Sequence, residues 1–164
     1  DWFFDRITRG VKFPIPGDGS LRTTLTHAAD VAGMLSSVVD KPDSAKGQVF
    51  NCATDVRISH LEVVVLVAQT VGKDPAEVFK NIVLYDPAAL KGVDLPKKGK
   101  FPFRETHFGV GVQKAKIVFG WSPKNKLEQD LSWYYEDYKR LGLDKKDIAR
   151  DWDEAVINKV MSSA

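Results

Sequence analysis

The chain has 164 residues, 43% hydrophobic and 28% charged, a balance that fits one globular domain and excludes disordered and collagen-like classes. Its longest apolar stretch, residues 63–68 between Glu62 and Gln69, is far short of the roughly 20 residues a membrane-spanning helix needs, so no transmembrane segment is predicted. The single cysteine, Cys52, excludes an internal disulfide framework, and the formal net charge is only +2.

In chain order, residues 2–7 cluster apolar side chains as on one side of a short helix, which Gly10 ends. Residues 11–15 read as a strand that Pro14 and Pro16 keep short or at an edge, and Gly17-Asp18-Gly19 makes a turn. Residues 21–26 are β-branched and alternate as a second strand. The spacing of Val31, Met34, Leu35 and Val38 predicts a helix over 27–39, stopped by Lys41-Pro42-Asp43. Residues 48–53 form a short apolar run of the kind found in covered parallel sheets, with Cys52 as a buried, inert thiol. Ser59 with Glu62 three residues on is a helix start, and that helix runs to Gly72. A helical turn near 74–77, a strand at 81–85 broken by Asp86-Pro87, and an exposed loop at 90–99 follow. Helices are expected at 113–119 and 127–141, ended by Gly120 and Gly142. Residues 143–164 read as a charged, peripheral helical tail docked through Trp152, Val156, Ile157 and Val160. Alternating helices and strands place the chain in the α/β class.

Charge is unevenly placed. Residues 91–126 hold nine cations against two anions, so an excess of seven sits there and the remainder is acidic. Such a segment is either a solvated face or a surface for polyanions. Duplex RNA is met through phosphates and 2′-hydroxyls, so exposed cations at Lys97, Lys98, Lys100, Arg104, Lys114 and Lys116 are the candidate RNA contacts. Phe101, Phe103 and His107 are candidates for stacking on unpaired bases, although the alternation of the two phenylalanines also suits core packing.

Other motifs carry less. Tyr135 and Lys139 have dehydrogenase-like spacing, but any helix places residues four apart on one face, and the pair is read as structural. Gly109-Val110-Gly111 has lysine where a dinucleotide loop needs a third glycine, no Walker sequence occurs, and His27, His60 and His107 lack zinc-site spacing. No metal or cofactor site is predicted within the chain.

Gly17-Asp18-Gly19 with His27-Ala28-Ala29-Asp30, residues 47–52, and Lys114-Ala115-Lys116 through Gly120-Trp121-Ser122-Pro123 resemble segments of extended short-chain dehydrogenase/reductases. The resemblance implies an NAD(P)-binding Rossmann-like scaffold, of which residues 1–142 form the carboxy-terminal portion, with 48–53 as its last cofactor-domain strand. It also implies that the catalytic, cofactor-binding and any targeting segments lie upstream, and that His27 and Asp30 are structural or line a site. Nucleotide-sugar epimerases usually carry an arginine four residues before that histidine. Here the position is Thr23, and the neighbouring Arg22 faces the other side of a strand.

Residues 1–7, Tyr85-Asp86-Pro87, residues 101–104 with His107-Phe108, and residues 142–146 most resemble the chloroplast stem-loop-binding proteins. That resemblance implies binding of structured plastid RNA, endoribonuclease activity with a divalent metal, association with ribosomes or homologous subunits in an oligomer, and a place in the plastid stroma. The alternatives are an NAD(P)-dependent nucleotide-sugar epimerase/dehydratase whose cofactor is held by the upstream half, and a non-catalytic scaffold subunit.

Overall fold

Two short sheets and the helices packed on them organise the computed structural model, which describes residues 1–162. The first element, α1 (Trp2–Arg9), buries Phe3, Phe4 and Ile7, and Gly10 closes it in the left-handed region at φ 64°. Strand β1 (Phe13–Pro16) follows, then β2 (Arg22–Thr23), α2 (Ala28–Val39) and the short α3 (Pro42–Ala45). Next come β3 (Ile58–Ser59), α4 (His60–Thr70), α5 (Pro75–Phe79) and β4 (Ile82–Tyr85). A long irregular loop leads to α6 (Gln113–Phe119), α7 (Leu127–Arg140) and α8 (Asp151–Met161).

β1 pairs in parallel with β4, Phe13 opposite Ile82 and Pro16 opposite Tyr85. Proline is tolerated in β1 because, among the described residues, only one side of the strand is paired, and that ladder uses the N–H groups of Phe13 and Gly17, which reach Asn81 O and Tyr85 O at 2.9 and 2.8 Å. β2 and β3 form an antiparallel pair. α4 begins with reciprocal capping: Ser59 Oγ accepts from Glu62 N at 3.1 Å, and Glu62 Oε2 accepts from Ser59 N at 2.6 Å. Its Val63, Val64, Val67 and Ala68 then join the main core with Phe3, Phe4 and Ile7 of α1 and Phe13 and Ile15 of β1. A second, smaller core joins Met34 of α2 to Ala115 and Phe119 of α6, with Trp121 alongside.

Three expectations are corrected here. Residues 48–53 form no strand: Val49 is 83% exposed, and the segment pairs with no strand among the described residues. Apolar, β-prone composition makes a strand only where a neighbour supplies a ladder. Side chains hold this stretch instead, with Lys114 Nζ donating to Val49 O at 3.0 Å and Asn51 Nδ2 to Gly111 O at 3.0 Å.

The carboxy-terminal helix is not peripheral. Trp152 and Val156 are fully buried in the main core, where α8 packs on β1 and β4. Arg6 of α1, 2% exposed, forks onto the fully buried Asp153 of α8 through Nε to Oδ2 at 2.8 Å and Nη2 to Oδ1 at 3.1 Å. Arg9 clamps the preceding turn through Leu143 O, Asp144 O and Lys146 O. Residues 163–164 of the predicted tail lie outside the described residues.

On α2 only Met34 of the predicted apolar face is buried; Val38 is half-buried, and Val31 and Leu35 are exposed. Among the described residues this helix packs mainly on α3 and α6, which cover part of its circumference.

Candidate nucleic-acid interface

The irregular loop between β4 and α6 is tied down from beneath. Asp86 caps a 3-10 turn over Pro87–Leu90 by accepting from Ala88 N at 2.9 Å, which directs the chain away from the sheet. Gly99 then meets the main core: its carbonyl accepts from Trp2 Nε1 at 2.8 Å and from Arg6 Nη2 at 3.1 Å. Its φ is 78°, and a Cβ there would lie 2.4 Å from Ala149 O, so only glycine fits. Phe101, 4% exposed, anchors the next stretch edge-on against Trp2, Phe3 and His60. Farther on, Phe108 N donates to Arg22 O at 2.8 Å, and Arg22 N donates to His107 Nδ1 at 3.1 Å.

Buried anchors therefore alternate with exposed cations. Lys97, Lys98 and Lys100 are exposed and make no ion pair or side-chain hydrogen bond with the described residues; Lys91, on the same loop, behaves likewise. The loop and the 3-10 turn enclose a cleft of about 620 Å³ that Lys91, Lys97 and Lys100 line together with Trp152. Glu105 enters it as well, and Tyr85 Oη donates to Glu105 Oε1 at 2.7 Å. Burial first, then the Glu105 carboxylate, pushes the Tyr85 phenol far above its ordinary range, so it remains a proton donor.

The other predicted contacts lie elsewhere. Arg104 is exposed with its guanidinium 4.4 Å from the Phe108 ring centre. Lys114 and Lys116 belong to α6 and the second core, not to the cleft. Lys114 Nζ donates to Gln48 Oε1 at 2.9 Å and lies over the Phe50 ring, and Lys116 pairs with Asp55 at 2.5 Å. Both are engaged by neighbouring residues, so the six cations do not form one set.

The stacking candidates divide similarly. Phe101 is enclosed by core rings and has no face to offer a base, and Phe103 is half-buried against Phe3 and His60. His107 is exposed, with Nδ1 committed to Arg22 N. The alternation of the two phenylalanines thus reports core packing. Lys91, Tyr85 and Glu105 were not among the predicted site residues. Tyr85 and Glu105 are 20 positions apart and meet only once the loop folds back.

His27 caps α2, its Nδ1 accepting from Ala29 N at 3.0 Å. Asp30, buried, accepts from Lys124 N and from Asn125 Nδ2, each at 2.8 Å, tying α2 to the loop before α7. Burial pushes its carboxyl up, but these donors outweigh burial and hold it below the ordinary carboxylate range. Arg22 is exposed and Thr23 buried, on opposite faces of β2.

No family model matches the chain. The chloroplast stem-loop binding protein of 41 kDa b from Arabidopsis thaliana is 31% identical over 160 residues, which is 97% of this chain and 40% of that protein. The chain thus resembles a chloroplast stem-loop binding protein over nearly its whole length. Solved structures similar to the chain include two nucleotide-sugar enzymes. A UDP-glucuronic acid 4-epimerase of Bacillus cereus, in complex with UDP-glucuronic acid and NAD, matches with a TM-score of 0.61 at 19% identity, covering 85% of this chain and 38% of that one. A dTDP-glucose 4,6-dehydratase of Bacillus anthracis, in complex with NAD, matches with a TM-score of 0.59 at 20% identity, covering 94% and 40%. The fold is therefore that of part of a Rossmann-like extended short-chain dehydrogenase/reductase, and the chain spans about 40% of the lengths of these relatives.

The described residues do not build the NAD site that this fold family implies. A Cβ at Gly109 would meet Arg57 Nε at 2.6 Å, so that glycine makes room for an arginine rather than a pyrophosphate. Tyr135 stacks on the buried Phe4 and lies under Lys139 Nζ at 4.6 Å, as a packing pair. No three His, Cys, Asp or Glu side chains gather as a metal-holding group among the described residues. No helix of the described residues is long and apolar enough to cross a membrane.

Proposed function

We propose that this chain is the RNA-binding part of a plastid protein built on a short-chain dehydrogenase scaffold, in which the loop over residues 91–104 holds the phosphates of structured RNA. The observation that carries this reading is the set of lysines that pair with none of the described residues, Lys91, Lys97, Lys98 and Lys100, on a loop fixed from below by Gly99 and Phe101. Cations placed in advance lose little freedom on binding and release counterions from the RNA. The stem-loop binding name and the chloroplastic description of the Arabidopsis relative support the ligand class and the compartment. Lys114 and Lys116 contribute less, because Gln48, Val49 and Asp55 already engage them.

The test is charge reversal, Lys97→Glu with Lys98→Glu and Lys100→Glu, in the full-length protein, titrated with a hairpin RNA over a range of salt. Removing one lysine–phosphate pair lowers the salt slope by about 0.7–0.9, so a fall of roughly 2 is expected together with weaker binding. Unchanged affinity and slope would remove the loop from the interface. The enzyme reading rests on the fold of the NAD-bound neighbours. NAD(P) bound by the full-length protein, with turnover of a nucleotide sugar, would move that reading ahead of RNA binding. RNA cleavage, ribosome association and self-association extend the RNA reading, and exposed Trp133 offers an apolar surface for assembly.

A further inference from the structure

The cleft beneath the basic loop has a composition that bulk phosphate binding does not explain. Lysines alone would serve any polyanion, yet here two carboxylates, Asp94 and Glu105, share the cavity with Lys91, Lys97 and Lys100. Glu105 is not neutralised by any of them: among the described residues its one side-chain partner is the Tyr85 hydroxyl on Oε1, and none of them reaches Oε2. Tyr85 is itself fixed, 3% exposed at the end of β4 and edge-on to the buried Trp152. The carboxylate is thus positioned from behind and presents acceptor capacity into a space of about 620 Å³, within the roughly 300–1,000 Å³ of small-molecule sites. Leu95 and Trp152 add apolar wall. A ligand that satisfies such a cleft carries negative charge at one end and N–H donors on a flat body at the other.

An unpaired nucleotide has that form, and the bases differ in how well they meet a carboxylate. Guanine presents two adjacent donors, N1–H and the N2 amino group, which a carboxylate accepts side by side. Adenine and cytosine present one amino group beside an acceptor nitrogen, and uracil presents one N–H between two carbonyls that a carboxylate repels. Single-stranded loops are where RNA exposes these edges. We propose that the cleft is a guanine-reading subsite for an unpaired nucleotide of a stem-loop, with Glu105 accepting from the base and Lys97 and Lys100 holding the adjoining phosphates. This rests on the RNA-binding reading above and adds base preference to it.

The experiment uses the full-length protein and four hairpins of identical stem whose loop carries guanosine, inosine, adenosine or uridine at one position. Affinity is read by fluorescence anisotropy. Guanosine is expected to bind about 10-fold or more tightly than uridine, the discrimination of one bidentate base contact. Inosine, lacking the N2 amino group, falls between them. Glu105→Gln keeps an acceptor for Tyr85, so its melting temperature is expected to match the unmodified protein while the guanosine preference falls to within about two-fold. Equal affinity for all four hairpins, with the lysine reversals still weakening binding, would overturn the guanine subsite and leave the RNA reading standing. No binding of any hairpin at low salt would overturn both. Free GMP binding more tightly than the guanosine hairpin would assign the cleft to mononucleotides and overturn the stem-loop source.

Discussion

Replacing Arg6 by methionine tests the contact on which both the fold and the basic loop depend. Arg6 is 2% exposed and Asp153 fully buried, and the guanidinium makes two charge-assisted bonds to that carboxylate at 2.8 and 3.1 Å. The same side chain donates to Gly99 O and Ala149 O, each at 3.1 Å. Arg6→Met leaves a buried carboxylate without its main partner, a loss of about 3–5 kcal/mol, and takes a donor from Ala149 O while Gly99 O keeps only Trp2 Nε1. Arg150, 3.9 Å from Asp153 and partly exposed, offsets only a fraction. Urea unfolding of the full-length protein, followed by tryptophan fluorescence, measures the loss. Adding Asp153→Leu removes the stranded charge and is expected to restore a large part of it. Burial already pushes the Asp153 carboxyl above its ordinary range, against the pull of Arg6. Without that pull the folded-state value rises further, so the deficit of Arg6→Met shrinks as pH falls and the carboxyl takes up a proton. A loss below about 1 kcal/mol, or a double variant no more stable than the single, would refute the assignment of this pair as a structural tie.

The loop itself can be tested at Gly99: Gly99→Ala forces a Cβ to 2.4 Å from Ala149 O at φ 78°, and a loss of about 1–3 kcal/mol with weaker RNA binding is expected from melting and anisotropy. Phe101→Ala is expected to cost about 3–5 kcal/mol, as for other buried aromatic truncations, whereas Lys98→Ala stays within about 0.5 kcal/mol; the reverse order would mean that Phe101 is not core. His60 is fully buried, with neither ring nitrogen hydrogen-bonded to the described residues; burial, then His107, holds its pKa below the ordinary 6.5. The unfolded chain therefore binds the proton first, so His60 lowers stability as pH falls beneath about 6.5, and His60→Leu flattens that part of the melting-temperature profile. An unchanged profile in His60→Leu would place the acid sensitivity elsewhere.

Local order was legible in the sequence wherever it is carried by neighbours along the chain. The turn at Gly10, the Ser59–Glu62 cap and the helices ended by Gly120 and Gly142 all depend on contacts within a few residues, and pattern alone locates them. The resemblance to the stem-loop binding protein could also be read from scattered motifs, because these keep their residue identities whatever surrounds them. The exposed basic loop was visible as composition, and Lys97, Lys98 and Lys100 followed from it. Decisions between distant residues were made only by tertiary structure. Whether residues 48–53 become a strand depends on a partner ladder, and whether the last helix is peripheral depends on Asp153 finding Arg6 across 147 positions. The same holds for the cleft: Lys114 and Lys116 were separated from the loop cations because α6 belongs to another core, while Glu105 joined them because Tyr85 reaches it from the end of β4. Sequence patterns record hydrophobic period and local capping, which act over one or two turns of chain. Buried polar pairs and cavities form between segments that sequence spacing does not relate, and so they appear only in the folded molecule.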